Sequence, residues 1–149
     1  MRAIIQKVKK AKVEVDKELI SEIDKGLLVF LAVTDTDGND DLDYIKRKIE
    51  KLRIFEDDQG KMNLSVEDVS GSILVVSQFT LYGDARKGNR PSFVKSSDAK
   101  KAQEYYKLLI KMLRDDGFDV KEGKFQTHME VSLINDGPVT IQLDSEKLY

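Results

Sequence analysis

The alternation of apolar and polar positions predicts that the chain begins with strands. From Ile4 to Ile23, apolar residues alternate with polar ones, and the phase changes near Lys9-Lys10, where we expect a β-bulge. The lysines between positions 7 and 12 are expected on the solvated face. The run 27–33, Leu-Leu-Val-Phe-Leu-Ala-Val, is apolar on both faces, and this pattern favours a central buried strand.

Two later stretches have the spacing of amphipathic helices. The first carries its apolar positions at Leu42, Ile45, Ile49 and Leu52. The second is expected to begin after Ser97 or Asp98, either of which can cap it, and to end at Gly117. Its apolar stripe consists of Ala99, Ala102, Tyr105, Tyr106, Leu109, Met112 and Leu113.

Further strands are predicted at residues 73–76, 118–120, 129–134 and 139–143, with a turn between the last two. Strands and helices do not follow each other in regular βαβ order. The sequence therefore predicts an α+β fold, with a mostly antiparallel sheet or partial β-barrel flanked by two main helices. At 149 residues we expect a single domain that covers positions 1–149.

Composition narrows the classes of function. The formal net charge is −2, so global charge does not indicate a nucleic-acid binder, and any contact with RNA must be local. The chain has no cysteine, which excludes thiol catalysis and disulfides. We find no signal peptide and no apolar run that would cross a bilayer. We expect a cytoplasmic protein without a membrane or DNA as partner.

The apolar run 73–76 continues into Ser77-Gln78-Phe79-Thr80, which is the first candidate site. Buried strands seldom continue into polar residues unless these groups find partners or meet a ligand. In an extended chain, Ser77 and Phe79 would point to one face, and Gln78 and Thr80 to the other. The alternative interpretation is an ordinary strand end whose hydroxyl groups bond to nearby backbone.

A second unusual segment is Asn135-Asp136-Gly137-Pro138-Val139-Thr140. The two segments, in this order, resemble the D-aminoacyl-tRNA deacylase family, which carries an SQxTL-type motif and a later NxGPVT motif. Gly60-Lys61-Met62-Asn63 and Arg90-Pro91-Ser92-Phe93 extend the resemblance over nearly the whole chain. A Gly-Pro dipeptide alone carries no signal, whereas the ordered set of four segments is specific.

The resemblance implies an enzyme that hydrolyses the ester of D-aminoacyl-tRNA. It implies a pocket for the 3′ aminoacyl-adenosine formed by Ser77, Gln78, Phe79 and Thr80, with backbone N–H groups around Phe79 binding the carbonyl. Phe125 and Met129 belong to the segment that matches the pocket wall. Whether the Thr80 hydroxyl or the tRNA ribose hydroxyl activates water is left open.

The resemblance also implies a homodimer. From sequence alone an X-Pro bond is expected to be trans, because only about 5–6% are cis in folded proteins. In the family the Gly-Pro bond is cis and enters the partner subunit's active site, where its carbonyl oxygens reject L-amino acids. Gly137 and Pro138 take that role here by resemblance.

Other features of the sequence leave alternatives open. Arg86, Lys87 and Arg90 form a basic loop beside the site, which we expect to contact tRNA; a mobile polar loop is the alternative. Gln126-Thr127-His128 departs from the small residues usual in the family, and it suggests that the single histidine is not catalytic. A serine esterase that uses Ser77, or a non-catalytic RNA-binding module, are the competing functions. No metal or cofactor site is predicted.

Overall fold

A computed structural model describes residues 1–148, in which a mixed sheet is nearly closed into a barrel and two helices pack against it. The main strands are β1 (Arg2–Val15), β2 (Glu18–Ile23), β3 (Gly26–Ala32), β6 (Ser72–Ser77), β7 (Val120–Glu122) and β8 (Glu130–Asp144). A separate hairpin consists of β4 (Phe55–Glu56) and β5 (Met62–Leu64). The helices are α1 (Asn39–Lys51) and α2 (Ala99–Asp115), and a 3₁₀ turn occupies Phe79–Tyr82. The predicted α+β class is confirmed.

Strand β1 organises the sheet. Its residues 2–8 pair with β3, its residues 11–15 pair with β2, and β8 runs along its other edge, all antiparallel. The register against β8 shifts between Val8 and Lys10, which confirms the predicted bulge. The remaining pairs, β3 with β6 and β6 with β7, are parallel.

The bulge allows β1 to contribute to two hydrophobic cores. Before it, Ala3 and Ile5 point into the larger core, which lies between the sheet and the helices. After it, Ala11 and Val13 point into a smaller core on the other side of the sheet. The inserted residue reverses the alternation of side chains, so one strand packs on both layers.

The central strands β3 and β6 are buried on both faces, as the apolar run 27–33 predicts. Leu27 and Val29 belong to the larger core, and Leu28 belongs to the smaller one. The two strands approach closely at Gly26, where an added Cβ would lie 1.9 Å from the carbonyl oxygen of Ser72. Only glycine permits this approach.

Helix α2 has the ends that the sequence predicts, whereas α1 ends at Lys51, one residue before Leu52 of the predicted stripe. The Asp98 side chain accepts a hydrogen bond from the Lys101 N–H at 2.8 Å and caps α2, and the helix stops before Gly117, whose φ is +92°. Helix α1 begins after Gly38, whose N–H donates to the Asp41 carboxylate at 2.8 Å.

Three local expectations are wrong. Lys7 is not on a solvated face but only 1% exposed, because it continues the inward alternation of Ala3 and Ile5 that precedes the bulge. Residues 78–80 do not continue β6, which ends at Ser77, since the chain enters the 3₁₀ turn at Phe79. The two strands expected at 129–134 and 139–143 are one strand, β8, because pairing with β1 resumes after the Gly-Pro segment.

Candidate active site

The proposed site residues lie where β3 and β6 end. These strands are parallel, so their carboxyl ends meet at one edge of the sheet. Ser77 is the last residue of β6, and the Gln78 N–H donates to the Leu31 carbonyl oxygen of β3 at 2.7 Å. Phe79 then begins the 3₁₀ turn and is 57% exposed.

A cavity of about 480 Å³ opens beside this turn. Strands β3 and β6, helix α2, and the segment between β7 and β8 all contribute to its wall, which is mainly apolar. The lining residues are Leu31, Ala32, Val33, Val76, Ser77, Gln78, Phe79, Ser96, Ser97, Ala99, Ala102, Tyr106, Phe125, Gln126, Thr127, His128, Met129 and Val131.

Tyr106 in this wall is structural. Its hydroxyl donates to the Val75 carbonyl oxygen at 2.9 Å, and its ring lies 5.8 Å from that of Phe125. Burial raises the pKa of the Tyr106 hydroxyl well above its ordinary value. The group therefore remains protonated at neutral pH and serves to hold α2 against β6.

The cavity brings together five of the residues that the sequence singles out. Ser77, Gln78 and Phe79 lie on one side of it, and Phe125 and Met129 lie on the other. Thr80 is outside the lining, but its hydroxyl oxygen accepts a hydrogen bond from the Gln78 side-chain amide. Thr80 therefore orients Gln78 at the edge of the cavity.

The basic loop is ordered by its own contacts and lies outside the cavity lining. Asp84 and Ser92 exchange two backbone hydrogen bonds, at 2.8 and 2.9 Å. The Arg86 guanidinium binds the Asp84 carboxylate and holds the pKa of that carboxyl well below its ordinary value. Arg86 is therefore engaged within the loop, whereas Lys87 and Arg90 form no ion pair with any described residue.

Gly137 and Pro138 are exposed on β8, away from the cavity of their own chain. The bond between them is cis, and the φ of Gly137 is +126°. Gln6 pairs with Thr140 and Val8 with Asn135, so a single residue of β1 faces residues 136–139 of β8. The segment is thus an enlarged bulge that stands out from the sheet.

Side chains on both strands fix this bulge. The Asn135 side chain accepts from the Val139 N–H at 3.0 Å and donates to the Thr140 hydroxyl at 2.9 Å. Lys7 Nζ lies 3.7 Å from the Asp136 carboxylate and 2.7 Å from that of Glu56. The Gly137-Pro138 segment is therefore held in one orientation.

Neither metal-binding groups nor membrane-spanning helices were found in residues 1–148. No cluster of three or more histidine or acidic side chains there could hold a metal ion. The described helices are also too short or too polar to span a bilayer.

Comparison with known proteins decides the family. A family model described as D-Tyr-tRNA(Tyr) deacylase matches residues 4–144. A D-aminoacyl-tRNA deacylase of Chloroherpeton thalassium is 57% identical over 97% of this chain and 96% of its own length. One of Thermotoga petrophila is 51% identical over the full length of both.

The chain belongs to the D-aminoacyl-tRNA deacylase family. Relatives of this name are hydrolases of aminoacyl-tRNA, and the predicted enzyme class is confirmed. A solved structure described as "c-Myc DNA Unwinding Element Binding Protein" is 40% identical and superimposes with a TM-score of 0.91 over 97% of this chain and 98% of that one. A probable eukaryotic D-amino acid tRNA deacylase is 17% identical with a TM-score of 0.75, covering 95% of this chain and 97% of that one, and shares the fold.

Some residues of this deacylase site are not evident from the sequence. Ser96 and Ser97 line the cavity, and the Ser96 hydroxyl donates to the Phe79 carbonyl oxygen at 3.0 Å. Their position before the cap of α2 was the available signal. Gln126 and His128, from the segment that departs from the family pattern, also line the cavity. Lys7 gave no signal, because it resembles the exposed lysines that follow it.

Proposed function

We propose that this chain hydrolyses the ester that joins a D-amino acid to the 3′ end of tRNA, releasing the D-amino acid and the tRNA. The observation that carries the proposal is the cavity at the end of β6, in a chain of this family. Its apolar walls suit a broad range of side chains. Its polar lining residues lie just before the 3₁₀ turn, just before α2, and between β7 and β8.

The reaction proceeds by positioning rather than by a covalent intermediate. Water adds to the ester carbonyl carbon, the bond to the ribose oxygen breaks, and that oxygen takes up the proton. Backbone hydrogen bonds of this segment engage the N–H groups of Gln78 and Leu81, but those of Phe79 and Thr80 have no acceptor among the described residues. The N–H groups of Phe79 and Thr80 bind the developing oxyanion, and each such donor typically raises the rate by about 10²–10³-fold.

Rejection of L-amino acids belongs to Gly137 and Pro138. Glycine leaves its carbonyl unshielded and proline has no N–H, so the segment presents carbonyl oxygens close to a ligand. These oxygens accept a hydrogen bond from the α-amino group of the substrate and leave no space for an L side chain at its α-carbon. Selectivity arises by steric exclusion, so it extends across many D-amino acids.

The selective segment acts on the partner's cavity in a homodimer. Gly137 and Pro138 are exposed and lie outside the cavity lining of their own chain, which supports action in trans. Two-fold symmetry would give each subunit's cavity the Gly-Pro segment of the other.

A serine-nucleophile mechanism is the first competitor. His128 lines the same cavity as Ser77, but in residues 1–148 no hydrogen bond joins their side chains and no acid orients the imidazole. Replacing Ser77 by Ala distinguishes the serine-nucleophile mechanism from the positioning mechanism. Abolished activity and an acyl group trapped on Ser77 in the parent protein would support the serine esterase, whereas positioning predicts that activity is retained.

The direct test compares release of labelled amino acid from D-tyrosyl-tRNA and L-tyrosyl-tRNA, with chelator present. We expect release from the D form alone. Equal release from both would contradict chiral rejection, and release from neither would favour the RNA-binding module.

DNA binding is not proposed. One 40% identical protein is described as binding a DNA unwinding element. The present chain has a net charge of −2, so its global charge does not favour duplex DNA. Duplex DNA therefore serves as the negative control for tRNA binding, and comparable affinity for the two would overturn this view.

A further inference from the structure

An exposed aromatic pair lies at the mouth of the cavity. Phe79 and Phe93 are 57% and 37% exposed, and their rings meet edge to face at 5.2 Å with an interplanar angle of 70°. Phe79 also lines the cavity, whereas Phe93 does not. The pair therefore extends the site outward from the cavity onto the surface.

The pair is held by the surrounding backbone and is not a mobile loop tip. The Ser96 hydroxyl donates to the Phe79 carbonyl oxygen at 3.0 Å, and the Ser96 N–H donates to that of Phe93 at 2.9 Å. The Phe93 ring also packs on the backbone of Gly83, where an added Cβ would lie 3.0 Å from it. Two exposed aromatic side chains are thus kept in a fixed position.

Exposed cations flank Phe93 along the chain. Lys87, Arg90 and Lys95 are exposed on the same loop and form no ion pair with the described residues. The nearby carboxylate of Asp84 is already engaged by Arg86. Aromatic faces that stack on bases, together with cations that meet phosphates, are the combination by which proteins bind single-stranded nucleic acid.

We propose that Phe79 and Phe93 form a stacking platform for the base of a nucleotide that precedes the aminoacylated 3′ terminal one, with Lys87, Arg90 and Lys95 bound to its phosphates. This proposal rests on the proposed function, which puts the terminal nucleotide in the cavity. An RNA strand whose last nucleotide occupies the cavity must leave through the mouth of the cavity. Phe79 belongs both to the cavity lining and to the aromatic pair at the mouth. The acceptor end of tRNA is single-stranded, so its bases are unpaired and available for stacking.

Binding tests the platform without any need for catalysis. The probe is a labelled RNA hairpin with a single-stranded 3′ CCA tail, compared with the same hairpin ending blunt. We expect the tailed hairpin to bind more tightly, and Phe93→Leu to weaken its binding about tenfold while Phe93→Trp preserves it. Tyr44→Leu, which removes a partly exposed ring on α1, is the control and should change nothing. Equal affinity for both hairpins, or an unaffected Phe93→Leu variant, would overturn the proposal.

Kinetics locate the effect relative to the cavity. The substrates are D-tyrosyl-tRNA and the D-tyrosyl ester of adenosine, which lacks the preceding nucleotide. Phe93→Leu should raise KM about tenfold for the tRNA and leave the adenosine ester unaffected. An equal loss on both would assign Phe93 to the shape of the cavity and overturn the platform. If the unmodified enzyme cleaves neither substrate, the deacylase proposal fails, and the hairpin comparison still decides the platform.

Salt dependence tests the cations. Replacing Lys87, Arg90 or Lys95 by Gln should each lower the slope of log affinity against log salt by about 0.7, as expected for one lost phosphate contact to a single strand. Lys61→Gln, on the distant β4-β5 hairpin, should leave the slope unchanged. Unchanged slopes in all three loop variants would contradict the phosphate contacts.

Discussion

At the scale of single residues, Gly137 on the exposed part of β8 restricts the side chain in two ways. Its φ of +126° lies where side-chain-bearing residues are strained, and an added Cβ would lie 2.7 Å from Cγ2 of Val139. Both restrictions act on the segment that we assign to chiral rejection. A substitution here must therefore move the carbonyl groups on either side of it.

We expect Gly137→Ala to reduce activity on D-tyrosyl-tRNA by about 10²-fold, the cost of misplacing a positioning group by an ångström. Strain at the positive φ should also lower the melting temperature, so rates are compared at a temperature where both proteins are folded. Gly60→Ala is the matched control: it also has a positive φ, at +73°, but open space around it. Equal activity losses in the two variants would argue against a specific role for Gly137.

For Tyr106 we expect a different result, which is a loss of stability without a loss of activity. Tyr106→Phe removes the hydroxyl that bonds to Val75 and should lower the free energy of unfolding by about 1 kcal/mol. Activity should persist, because the raised pKa excludes this hydroxyl as a base at neutral pH. Urea denaturation and initial rates measure the two effects, and a loss of activity without a loss of stability would mean that the hydroxyl acts on substrate.

At the scale of elements, the important contact is between β1 and the bulge of β8. Lys7 is buried, and its ammonium group lies between the carboxylates of Glu56 and Asp136. A buried ion pair contributes little net stability, but it specifies one arrangement when its partners are well placed. Lys7 is thus a positioning residue for the Gly137-Pro138 segment.

Lys7→Met should separate stability from function. The apolar chain fills the same space, so the free energy of unfolding is expected to stay within about 1 kcal/mol or to rise. Discrimination between D- and L-tyrosyl-tRNA should fall about tenfold or more, because Asp136 loses its anchor. Lys7→Arg should restore discrimination. Unchanged discrimination in Lys7→Met would assign Lys7 to the core alone.

The elements that the sequence predicts best are those dictated by local pattern. The run 27–33 identified a strand buried on both faces, and the phase change at Lys9-Lys10 identified the bulge. Lys7 could not be placed, since its burial depends on Glu56 and Asp136, which are distant in sequence. The 3₁₀ turn after Ser77 was missed because the Gln78 contact with Leu31, which turns the chain, is also long-range. Resemblance, rather than pattern, indicated the cis bond at Gly137-Pro138.

At the scale of the whole molecule, the action in trans that we propose would make the two subunits depend on each other. A Gly137→Ala subunit retains its own cavity, and an Ala102→Phe subunit, whose cavity is filled from α2, retains its Gly-Pro segment. After subunit exchange, half of the dimers are mixed, and each has one complete site. We expect about a quarter of the parent activity from two inactive variants. No recovery after confirmed exchange would indicate that the segment acts within its own chain.

Acid should destabilise the whole molecule through several carboxylates. Contacts in the folded state lower the pKa of Glu56, mainly through Lys7, of Asp57, mainly through Asn63, and of Asp68, mainly through Ser65. A carboxyl group whose pKa is lowered on folding stabilises the folded state at pH values above its ordinary pKa, near about 4. That stabilisation is lost as the pH falls through the pKa that the group has in the folded state. Thermal melts should be constant from neutral pH to about pH 5 and fall below about pH 4. Asp57→Asn should reduce the slope of that decline, and a melting temperature that rises in acid would contradict this prediction.

The continuity of β8 also restricts how this chain can change in length. Met129, just before the strand, lies in the wall of its own cavity, and Gly137, within the strand, belongs to the segment that we propose acts on the partner. Any inserted or deleted residue between them would shift one relative to the other by about 3.3 Å and turn the intervening side chains to the opposite face. The exposed positions of β8 between Met129 and Asn135 should therefore tolerate substitutions but no insertion or deletion.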